Sequence, residues 1–451
     1  MKNKDIILHT EKINISALKE FNTYTDYFLA VLEDKTTLND GIHLKLVNLY
    51  YATPKGYLKL RISAKDKGIE LLERAEHKTL FERFSKEEKM DNNLIFFESF
   101  NGQSYSNSPK YIYEKMLEMG YGDKYTFVWS YKGDLEIPGN PIIVNGSNTE
   151  YFKYLAGAKY WVNNSTFPVE QKQKKGIYIQ TWHGTPLKRL GFDIQVKNPK
   201  INWHHLNKES KNWNFLISAN RYSTNIFKRA FKFNNKILEV GYPSNDIFYS
   251  KDDEFKRSLK EKFICTDKKI ILYAPKFRDD DVDENGNYYF NMKLDLKKLY
   301  DKFKDEYVLI IKTHYIVSNL IEINENIKDF VYNFSDYDDI HELFLISDIL
   351  ITDYSSVFFD FAHSKNPILY FVPDFERYKT EVRGFYIDME EDLPGPIIRD
   401  NDKLIWAIEN IEDIKKEFKD SYEVFYEKYC SIGQGNASKK VVDAFINRWI
   451  R

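Results

Sequence analysis

From residue 94 onward, short apolar runs alternate with stretches of helical periodicity, and this alternation restricts the fold more than any other feature. It is typical of parallel strands joined by helices. The alternation of strands and helices is interrupted by the charged segment 251–268, so we predict two doubly wound α/β lobes with a cleft between them. Ligands of such sheets bind beyond the carboxyl ends of the strands, which makes the residues after each strand the first site candidates. The predicted strands are 94–97, 125–129, 141–144, 160–163, 178–180, 215–218, 236–240, 270–273, 307–311, 330–332, 349–351 and 368–371.

The first ninety residues follow a different pattern. Apolar and polar residues alternate on both sides of Thr53-Pro54-Lys55-Gly56, which predicts two short strands about a turn. A charged helical connector follows. We therefore predict a small β-rich accessory module with its connector at 1–92, a first lobe at 93–250, and a second lobe at 251–451 whose last helix packs back on the first lobe.

Composition excludes several classes of protein. The chain has 66 Lys and Arg against 68 Asp and Glu, a formal net charge of -2, which argues against a general nucleic-acid binder. Its two cysteines, Cys265 and Cys430, are too few for a disulfide framework or a cysteine metal site and favour a reducing compartment. No window approaches the ~20 apolar residues that cross a bilayer, so we expect a cytoplasmic or peripheral protein.

The first motif is Gln180-Thr181-Trp182-His183-Gly184-Thr185-Pro186-Leu187-Lys188. A strand ends near its start, and Thr185 as N-cap with Pro186 at the first helical position predicts a short helix that stops at Gly191. His183 then stands at a strand-to-helix turn, where an imidazole can accept a proton from an attacking hydroxyl. Gly184, Thr185 and Lys188 are expected to support the turn or the acceptor. A histidine that only hydrogen-bonds the turn fits the pattern equally well.

The second motif is the strand 307–311 followed by Lys312-Thr313-His314. A lysine and a histidine at a strand end can hold a diphosphate or assist its departure, because negative charge accumulates on the leaving phosphate. A structural histidine is the open alternative.

The third motif runs from a buried strand into Asp353-Tyr354-Ser355-Ser356, after which a helix begins. Free amides, the positive end of the helix dipole and two hydroxyls predict an anion site. Serines that only cap the helix are the alternative.

Two further segments carry arginines suited to phosphate, Arg278 and Arg383. The acidic run 279–283 leaves a divalent cation open, with a solvated loop as the alternative. The sequence has no Walker loop, His-Glu-x-x-His or zinc-spaced cysteine set, so kinase, zincin and Rossmann-dehydrogenase functions lose their main support. We predict no metal ligand and no certain cofactor.

The three motifs, in this order, resemble the CDP-glycerol glycerophosphotransferase family, the teichoic acid primases and polymerases and the related capsule polymerases. Other segments that carry the resemblance are Leu94–Phe100, Ser108-Pro109-Lys110, Phe127-Val128-Trp129, Gly241–Asp246, Phe277-Arg278-Asp279, Arg383–Tyr386 and Pro394-Gly395-Pro396.

The resemblance implies a GT-B-like architecture, with the donor held mainly by the second lobe and the acceptor approaching from the first. It implies transfer of glycerol phosphate or ribitol phosphate from a CDP-polyol to a hydroxyl of a prenyl-diphosphate-linked acceptor, with release of CMP. Catalytic roles fall on His183 and His314. Donor binding is predicted for Arg278, Lys312, Asp353, Ser355, Ser356 and Arg383.

Family acceptors are anchored on undecaprenyl diphosphate, so the resemblance also implies a peripheral protein on the cytoplasmic side of the cell membrane. Segment 188–213 is rich in Lys and Arg and includes Trp203 and Trp213, a composition that suits an anionic bilayer surface. The alternative is a solvated helical insertion with its tryptophans in the core.

Two other functions fit a two-lobed chain. One is a GT-B glycosyltransferase with a nucleotide-sugar donor, and the other is a non-catalytic scaffold or polymer-binding module of a cell-wall assembly complex. The sequence leaves open the choice between glycerol and ribitol, the number of units added, teichoic acid or capsule as product, and a homo-oligomeric state.

Overall fold

In a computed structural model, the structure describes residues 6–13, 34–37, 43–53, 56–64, 66–146, 148–169, 172–194, 203–264, 266–276, 292–313, 323–375 and 384–446. Its side chains are described from residue 77 onward, apart from 203–206. The chain divides into two compact units.

The first unit comprises Met1–Asp91, Ser147–Gly157 and Phe167–Gln173. It contains a four-stranded antiparallel sheet in the order β1-β4-β3-β2, formed by β1 (Ile6–Ile13), β2 (Asp34–Thr37), β3 (His43–Thr53) and β4 (Gly56–Ala64). Thr53 pairs with Gly56, so the predicted pair of strands is confirmed. Helices α1 (Asp66–Glu87) and α3 (Thr149–Gly157) belong to the same unit, where the His77 and Phe152 rings lie 5.0 Å apart.

The second unit contains both parallel sheets, and the first lobe is built on seven strands in the order β11-β10-β9-β8-β5-β6-β7. The chain proceeds outward from β5 in one direction and then, from β8, in the other. A topological switch point therefore lies between β5 and β8, where open α/β sheets form their ligand crevice. The strands are β5 (Asp91–Glu98), β6 (Thr126–Ser130), β7 (Ile142–Val144), β8 (Ala158–Asn163), β9 (Ile177–Gln180), β10 (Phe215–Ser218) and β11 (Lys236–Glu239).

The second lobe is built on six parallel strands in the order β14-β13-β12-β15-β16-β17. Its switch point lies between β12 and β15. The strands are β12 (Lys269–Tyr273), β13 (Tyr307–Ile311), β14 (Val331–Asn333), β15 (Ile349–Thr352), β16 (Ile368–Phe371) and β17 (Ile397–Ile398). The predicted two-lobe α/β fold is thus confirmed. The two-residue strand β17 was not predicted, because so short an apolar run carries no pattern.

Helices connect and cover these strands. In the part of the chain that the structure describes, buried apolar residues of the sheets and helices pack in core clusters, which include one of the first lobe and two formed mainly by the second. Within its described residues, the second unit has the helices α2 (Asn107–Glu118), α4 (Trp203–Asn212), α5 (Arg221–Ala230), α6 (Ile247–Ser250), α7 (Asp253–Phe263), α8 (Leu296–Phe303), α9 (Ile340–Ile346), α10 (Val357–Phe361), α11 (Asn401–Glu409), α12 (Ile411–Glu417), α13 (Lys419–Tyr429) and α14 (Ala437–Ile446).

Helix α14 packs on the first lobe, where Val441, Val442 and Phe445 join its core cluster. The carboxylate of Asp246 accepts hydrogen bonds from the amides of Ala437 and Ser438, at 3.0 and 2.8 Å, and so satisfies the start of this helix. The domain boundaries predicted at 92 and 250 stay predictions.

Candidate functional site

The first-lobe side of the site is the segment after β9. Trp182 has φ of +57° and Gly184 has φ of +145°, so the chain turns sharply at His183. The short helix predicted after Thr185 and Pro186 is wrong. Residues 187–189 instead pair with 384–386, since the Leu187 carbonyl accepts from the Tyr386 amide at 2.9 Å and the Arg189 amide donates to the Gly384 carbonyl at 3.0 Å.

Lys188 belongs to this pairing, in an antiparallel bridge to Phe385, and Thr185 is buried. Gly191 does not end a helix but begins a single 3-10 turn that reaches Asp193. Local helix signals at 185–191 are overridden by main-chain hydrogen bonds to a segment almost two hundred residues later. Lys188 therefore belongs to the seam between the lobes, and neither Thr185 nor Lys188 lies in a helix.

His183 is oriented by a main-chain carbonyl. Its Nδ1 lies 2.7 Å from the Asn164 oxygen, and since a carbonyl can only accept, Nδ1 carries the proton and Nε2 is the free base of the neutral ring. His183 is exposed at its surface, but protein surrounds the ring at longer range. That desolvation lowers the pKa of His183 below 6.5, the Lys276 charge lowers it further, and the hydrogen bond to Asn164 opposes both. At neutral pH His183 is therefore a proton acceptor.

Asn163 and Asn164, at the switch point of the first lobe, were missed by sequence reasoning. The Asn163 amide donates to Glu98 at 3.1 Å, and the Asn164 side chain accepts from the Phe100 amide at 2.8 Å. The Phe100 ring in turn lies 5.8 Å from the His183 ring. The rule that ligands bind beyond strand ends could have identified both asparagines, because they end and follow a predicted strand.

The second-lobe side of the site follows β12 and β15, at that lobe's switch point. Asp353 is buried, and its Oδ1 accepts from the Lys276 amide at 2.7 Å. Ser355 is nearly buried, and Ser356 is the half-buried N-cap of α10, whose side chain makes no capping hydrogen bond. Asp353 thus fixes the loop that carries Lys276 toward His183.

The first and third sequence motifs meet across the cleft. A Cβ added to Gly184 would lie 3.4 Å from Ser356 Oγ, and the Gly184 carbonyl accepts from the Tyr242 hydroxyl at 2.9 Å. A glycine is required because its φ is one that side chains disfavour.

Substituting Gly184 with alanine should destabilise the fold by about 1–3 kcal/mol, because the new side chain strains the backbone at this φ. Gly157→Ala is the matched control, since its Cβ would have no atom within 4 Å. That control should change stability by less than about 0.5 kcal/mol. Thermal unfolding of both variants measures the difference, and equal stability of the two would contradict the strain.

Lys312 and Thr313 of the second motif are described. The Lys312 ammonium donates to the Ser335 and Tyr337 carbonyls at 2.7 and 2.6 Å. Burial lowers the pKa of Lys312 to about 8, although the nearby Asp338, Asp336 and Asp339 carboxylates oppose the shift. Lys312 is therefore a cation that loses its charge as the pH rises through about 8.

A cavity of about 400 Å³ lies between the lobes and is lined by both. Ser355, Lys312 and Lys276 face it from the second lobe, and Phe100 from the first. The remaining lining residues are Gln103, Ser104, Ser106, Asn107, Ala274, Pro275, Thr313, Ser335, Asp336, Tyr337, Asp338, Asp339, Ile340, His341 and Val357. A larger cavity of about 600 Å³, beside α12 and α13, contains none of the predicted site residues.

A buried ion-pair cluster fastens the lobes beside this cavity. Lys110 of α2 donates to Asp339 at 2.8 Å and to Glu342 at 2.6 Å, and the Tyr111 hydroxyl donates to Asp339 at 2.9 Å. Burial disfavours the charge on Asp339, but Lys110 and His341 outweigh it and hold the pKa of Asp339 below its usual range. The same Asp339 accepts from the His341 amide and caps α9.

Three predicted site residues lie outside the described residues: Arg278, His314 and Arg383. The acidic run 279–283 also lies outside them. Among the described residues, no group of three or more His, Cys, Asp or Glu side chains could hold a metal ion.

The membrane-facing interpretation of segment 188–213 needs a correction at Trp213. Its side chain is buried, and its Nε1 donates to Glu209 at 3.3 Å. The Trp213 ring packs against Phe231 and Phe233, so this residue belongs to the protein core, while the Trp203 side chain lies outside the described residues. No helix in the part of the chain that the structure describes is long and apolar enough to cross a membrane.

Comparison with known proteins gives consistent matches. A family model described as CDP-glycerol:poly(glycerophosphate) glycerophosphotransferase matches residues 80–447. The teichoic acid poly(glycerol phosphate) polymerase of Staphylococcus epidermidis is 39% identical over 390 residues, which cover 84% of this chain and 54% of that protein. This chain therefore spans about half the length of that relative.

A polymerase of the same name from Bacillus spizizenii is 43% identical over 369 residues, which cover 78% of this chain and 92% of that protein. Among solved structures, the wall teichoic acid polymerase TagF matches with a TM-score of 0.77 and 38% identity, over 85% of this chain and 95% of that chain. A variant of TagF has been solved after a soak with CDPG.

Proposed function

Since the chain belongs to the CDP-glycerol:poly(glycerophosphate) glycerophosphotransferase family, we propose that it transfers glycerol phosphate from CDP-glycerol to a hydroxyl group, with release of CMP. We propose glycerol rather than ribitol because the relatives described above are poly(glycerol phosphate) polymerases. The acceptor that we propose is a teichoic acid precursor linked to a prenyl diphosphate.

The observation that carries this proposal is the meeting of the two motifs in one cleft. Gly184, next to His183, lies against Ser356, and Ser355 and Lys312 line the cavity between the lobes. A proton acceptor from one lobe thus lies near the Ser356 hydroxyl and the Lys276 charge of the other. Phosphoryl transfer needs this combination, because one group must accept the proton of the attacking hydroxyl while others stabilise the diphosphate.

The proposed reaction is a single displacement at the phosphorus that bears glycerol. The acceptor oxygen forms a bond to this phosphorus while His183 Nε2 takes the hydroxyl proton. The anhydride bond between the two phosphates breaks, and CMP leaves with the electron pair. Lys276 and Lys312 supply positive charge where the leaving phosphate gains negative charge.

We assign donor contacts to Ser355, Ser356 and Lys312, with Asp353 positioning the Lys276 loop. The family resemblance adds Arg278, His314 and Arg383 as proposed participants.

Nucleotide release by the full chain, CMP from a CDP-polyol or UDP from a UDP-sugar, tests the proposed reaction. Purified protein is given CDP-glycerol, CDP-ribitol or a UDP-sugar, each with a short-chain prenyl-diphosphate-linked acceptor. We expect acceptor-dependent CMP release with CDP-glycerol. Turnover with only the UDP-sugar would identify a glycosyltransferase, and turnover with CDP-ribitol alone would overturn the choice of glycerol.

The Michaelis constant for CDP-glycerol should rise as the pH increases through about 8. Lys312 is charged below its pKa of about 8 and neutral above it, so attraction for the donor diphosphate is lost in alkali. Lys312→Met should raise the constant at pH 7 and remove this alkaline dependence. Lys403→Met, at a side chain 75% exposed, is the control, and an unchanged pH profile in Lys312→Met would exclude Lys312 from donor binding.

We also propose that the protein works as a peripheral protein on the cytoplasmic side of the membrane, where prenyl-linked acceptors would be accessible. Exposed Lys211 and half-buried Lys188 and Lys208 of segment 188–213 support this proposal. Flotation with phosphatidylglycerol vesicles tests it, and absence of binding at low salt would contradict it.

A further inference from the structure

A second, smaller cavity lies at the seam between the lobes. It has a volume of about 380 Å³ and is lined by Arg189, Phe192, Asp193, Arg229, Phe385 and Tyr386. The main-chain pairing of 187–189 with 384–386 forms one wall, so both lobes contribute. The catalytic segment leads directly into it, because Arg189 follows His183 by six residues and the chain can span at most about 20 Å over that distance.

The charges in this seam pocket favour an anion. Asp193 accepts from the Tyr386 hydroxyl at 2.7 Å and from Arg229 Nε at 2.8 Å, both at the same oxygen. The Asp193 side chain is only 16% exposed, whereas Arg229 is 56% exposed. Asp193 therefore holds Arg229 by one edge, and the guanidinium retains further N–H donors for a ligand.

Arg189 adds a second positive charge. Among the described residues, no carboxylate lies within ion-pair distance of it, although it is half-buried. Among the described residues that line the pocket, two arginines stand against one carboxylate, which favours an anion. Lys232 adds positive charge nearby, since its ammonium lies 3.7 Å from the centre of the Phe192 ring. Arginines suit phosphate because their planar groups can donate two parallel hydrogen bonds.

The apolar surfaces of the pocket distinguish the kind of anion. Phe192, Phe385 and Tyr386 line it, and the Arg229 guanidinium lies 5.6 Å from the centre of the Tyr386 ring. Rings and guanidinium groups together suit a phosphate that carries small carbon substituents. A phosphodiester between two glycerol units has this chemistry.

We propose that the seam pocket binds a phosphodiester of the growing acceptor chain, a few units away from the hydroxyl that reacts. The inference rests on the proposed function and extends it, because a hold on the acceptor outside the reaction cavity retains the chain between additions. The number of units added then depends on Arg189 and Arg229.

Binding of lipid-free oligo(glycerol phosphate) to the full chain, measured by calorimetry without donor, tests the proposal. Arg189→Gln and Arg229→Gln should each weaken binding by roughly ten-fold or more, since each removes charge-assisted hydrogen bonds to phosphate. Arg257→Gln, at an exposed arginine of α7, is the matched control and should stay within about two-fold of wild type. Arg229→Lys keeps a positive charge beside Asp193. Weaker oligomer binding in this variant therefore reflects the lost guanidinium donors rather than a disturbed Asp193. Thermal unfolding shows whether each variant is folded.

Product length gives the second readout. With CDP-glycerol and a prenyl-linked acceptor, both glutamine variants should make shorter chains than wild type and Arg257→Gln. Unchanged oligomer binding in Arg189→Gln and Arg229→Gln would overturn the proposal. Binding of the same variants to phosphatidylglycerol vesicles is measured in parallel. If they lose vesicle binding and keep oligomer binding, the arginines belong to a lipid-binding surface and the proposal is overturned. Failure of wild-type CMP release would instead refute the proposed function, and the calorimetric result would still be interpretable.

Discussion

Replacing His183 with alanine should lower kcat for glycerol phosphate transfer by about 10²–10⁴-fold, the usual contribution of a general base. The Nδ1 proton is held by the Asn164 carbonyl, which leaves Nε2 to accept the proton of the acceptor hydroxyl. The Michaelis constant for CDP-glycerol should change little, because the donor contacts that we propose lie on the second lobe. Steady-state CMP release measures both quantities.

The pH profile distinguishes a base from a structural histidine. Because the pKa of His183 is below 6.5, kcat/KM should be constant near neutral pH and fall only as the pH drops through that lowered value. His183→Ala should lack this acid limb. His77→Ala, in the first unit, is the matched control and should keep both the rate and the limb. A normal kcat in His183→Ala would show that His183 is not the general base.

Lys110→Met should lower the free energy of unfolding by about 3–5 kcal/mol, because it leaves the buried Asp339 carboxylate without its cation. Lys110 is 6% exposed and lies 2.8 Å from Asp339 and 2.6 Å from Glu342. Burial disfavours the Lys110 charge, but the Asp339, Glu114 and Glu342 carboxylates together outweigh burial and raise the pKa of Lys110. Guanidinium unfolding, followed by tryptophan fluorescence, measures the loss.

Lys115→Met on the same helix is the control. Its partner Glu118 is 69% exposed, so that ion pair should contribute less than about 1 kcal/mol. The sign of the pH dependence follows from the lowered pKa of Asp339. The stability that the Asp339 carboxylate contributes is present above its pKa in the unfolded chain, near 3.9, and is lost as the pH falls through its lower pKa in the folded protein. The loss of unfolding free energy in Lys110→Met should therefore become smaller in acid. A deficit no larger than that of Lys115→Met would show that the cluster does not fasten the lobes.

The strands of both lobes were predictable because buried parallel strands are short apolar runs, which sequence displays directly. The two switch points could not be identified from sequence, since strand order depends on pairings that no local pattern records. Asn164 and Lys276 were within reach of sequence reasoning, because both follow predicted strands. Their connection to His183 was not, since it depends on the crossing of separate loops.

Long-range contacts account for the remaining differences. The helix predicted from Thr185 and Pro186 is replaced by pairing with Gly384 and Tyr386, and local propensity carries no information about so distant a partner. The Lys110–Asp339 pair joins residues 229 positions apart. For Trp213, composition left a membrane surface and the protein core as alternatives, and its buried indole belongs to the core.

The most direct test of the central claim is ³¹P NMR of the product made by the full chain from CDP-glycerol and a prenyl-linked acceptor. A new phosphodiester signal that grows in step with CMP, and that His183→Ala fails to produce, is the predicted result. CMP formed together with free glycerol phosphate, and no phosphodiester, would contradict transfer to an acceptor hydroxyl.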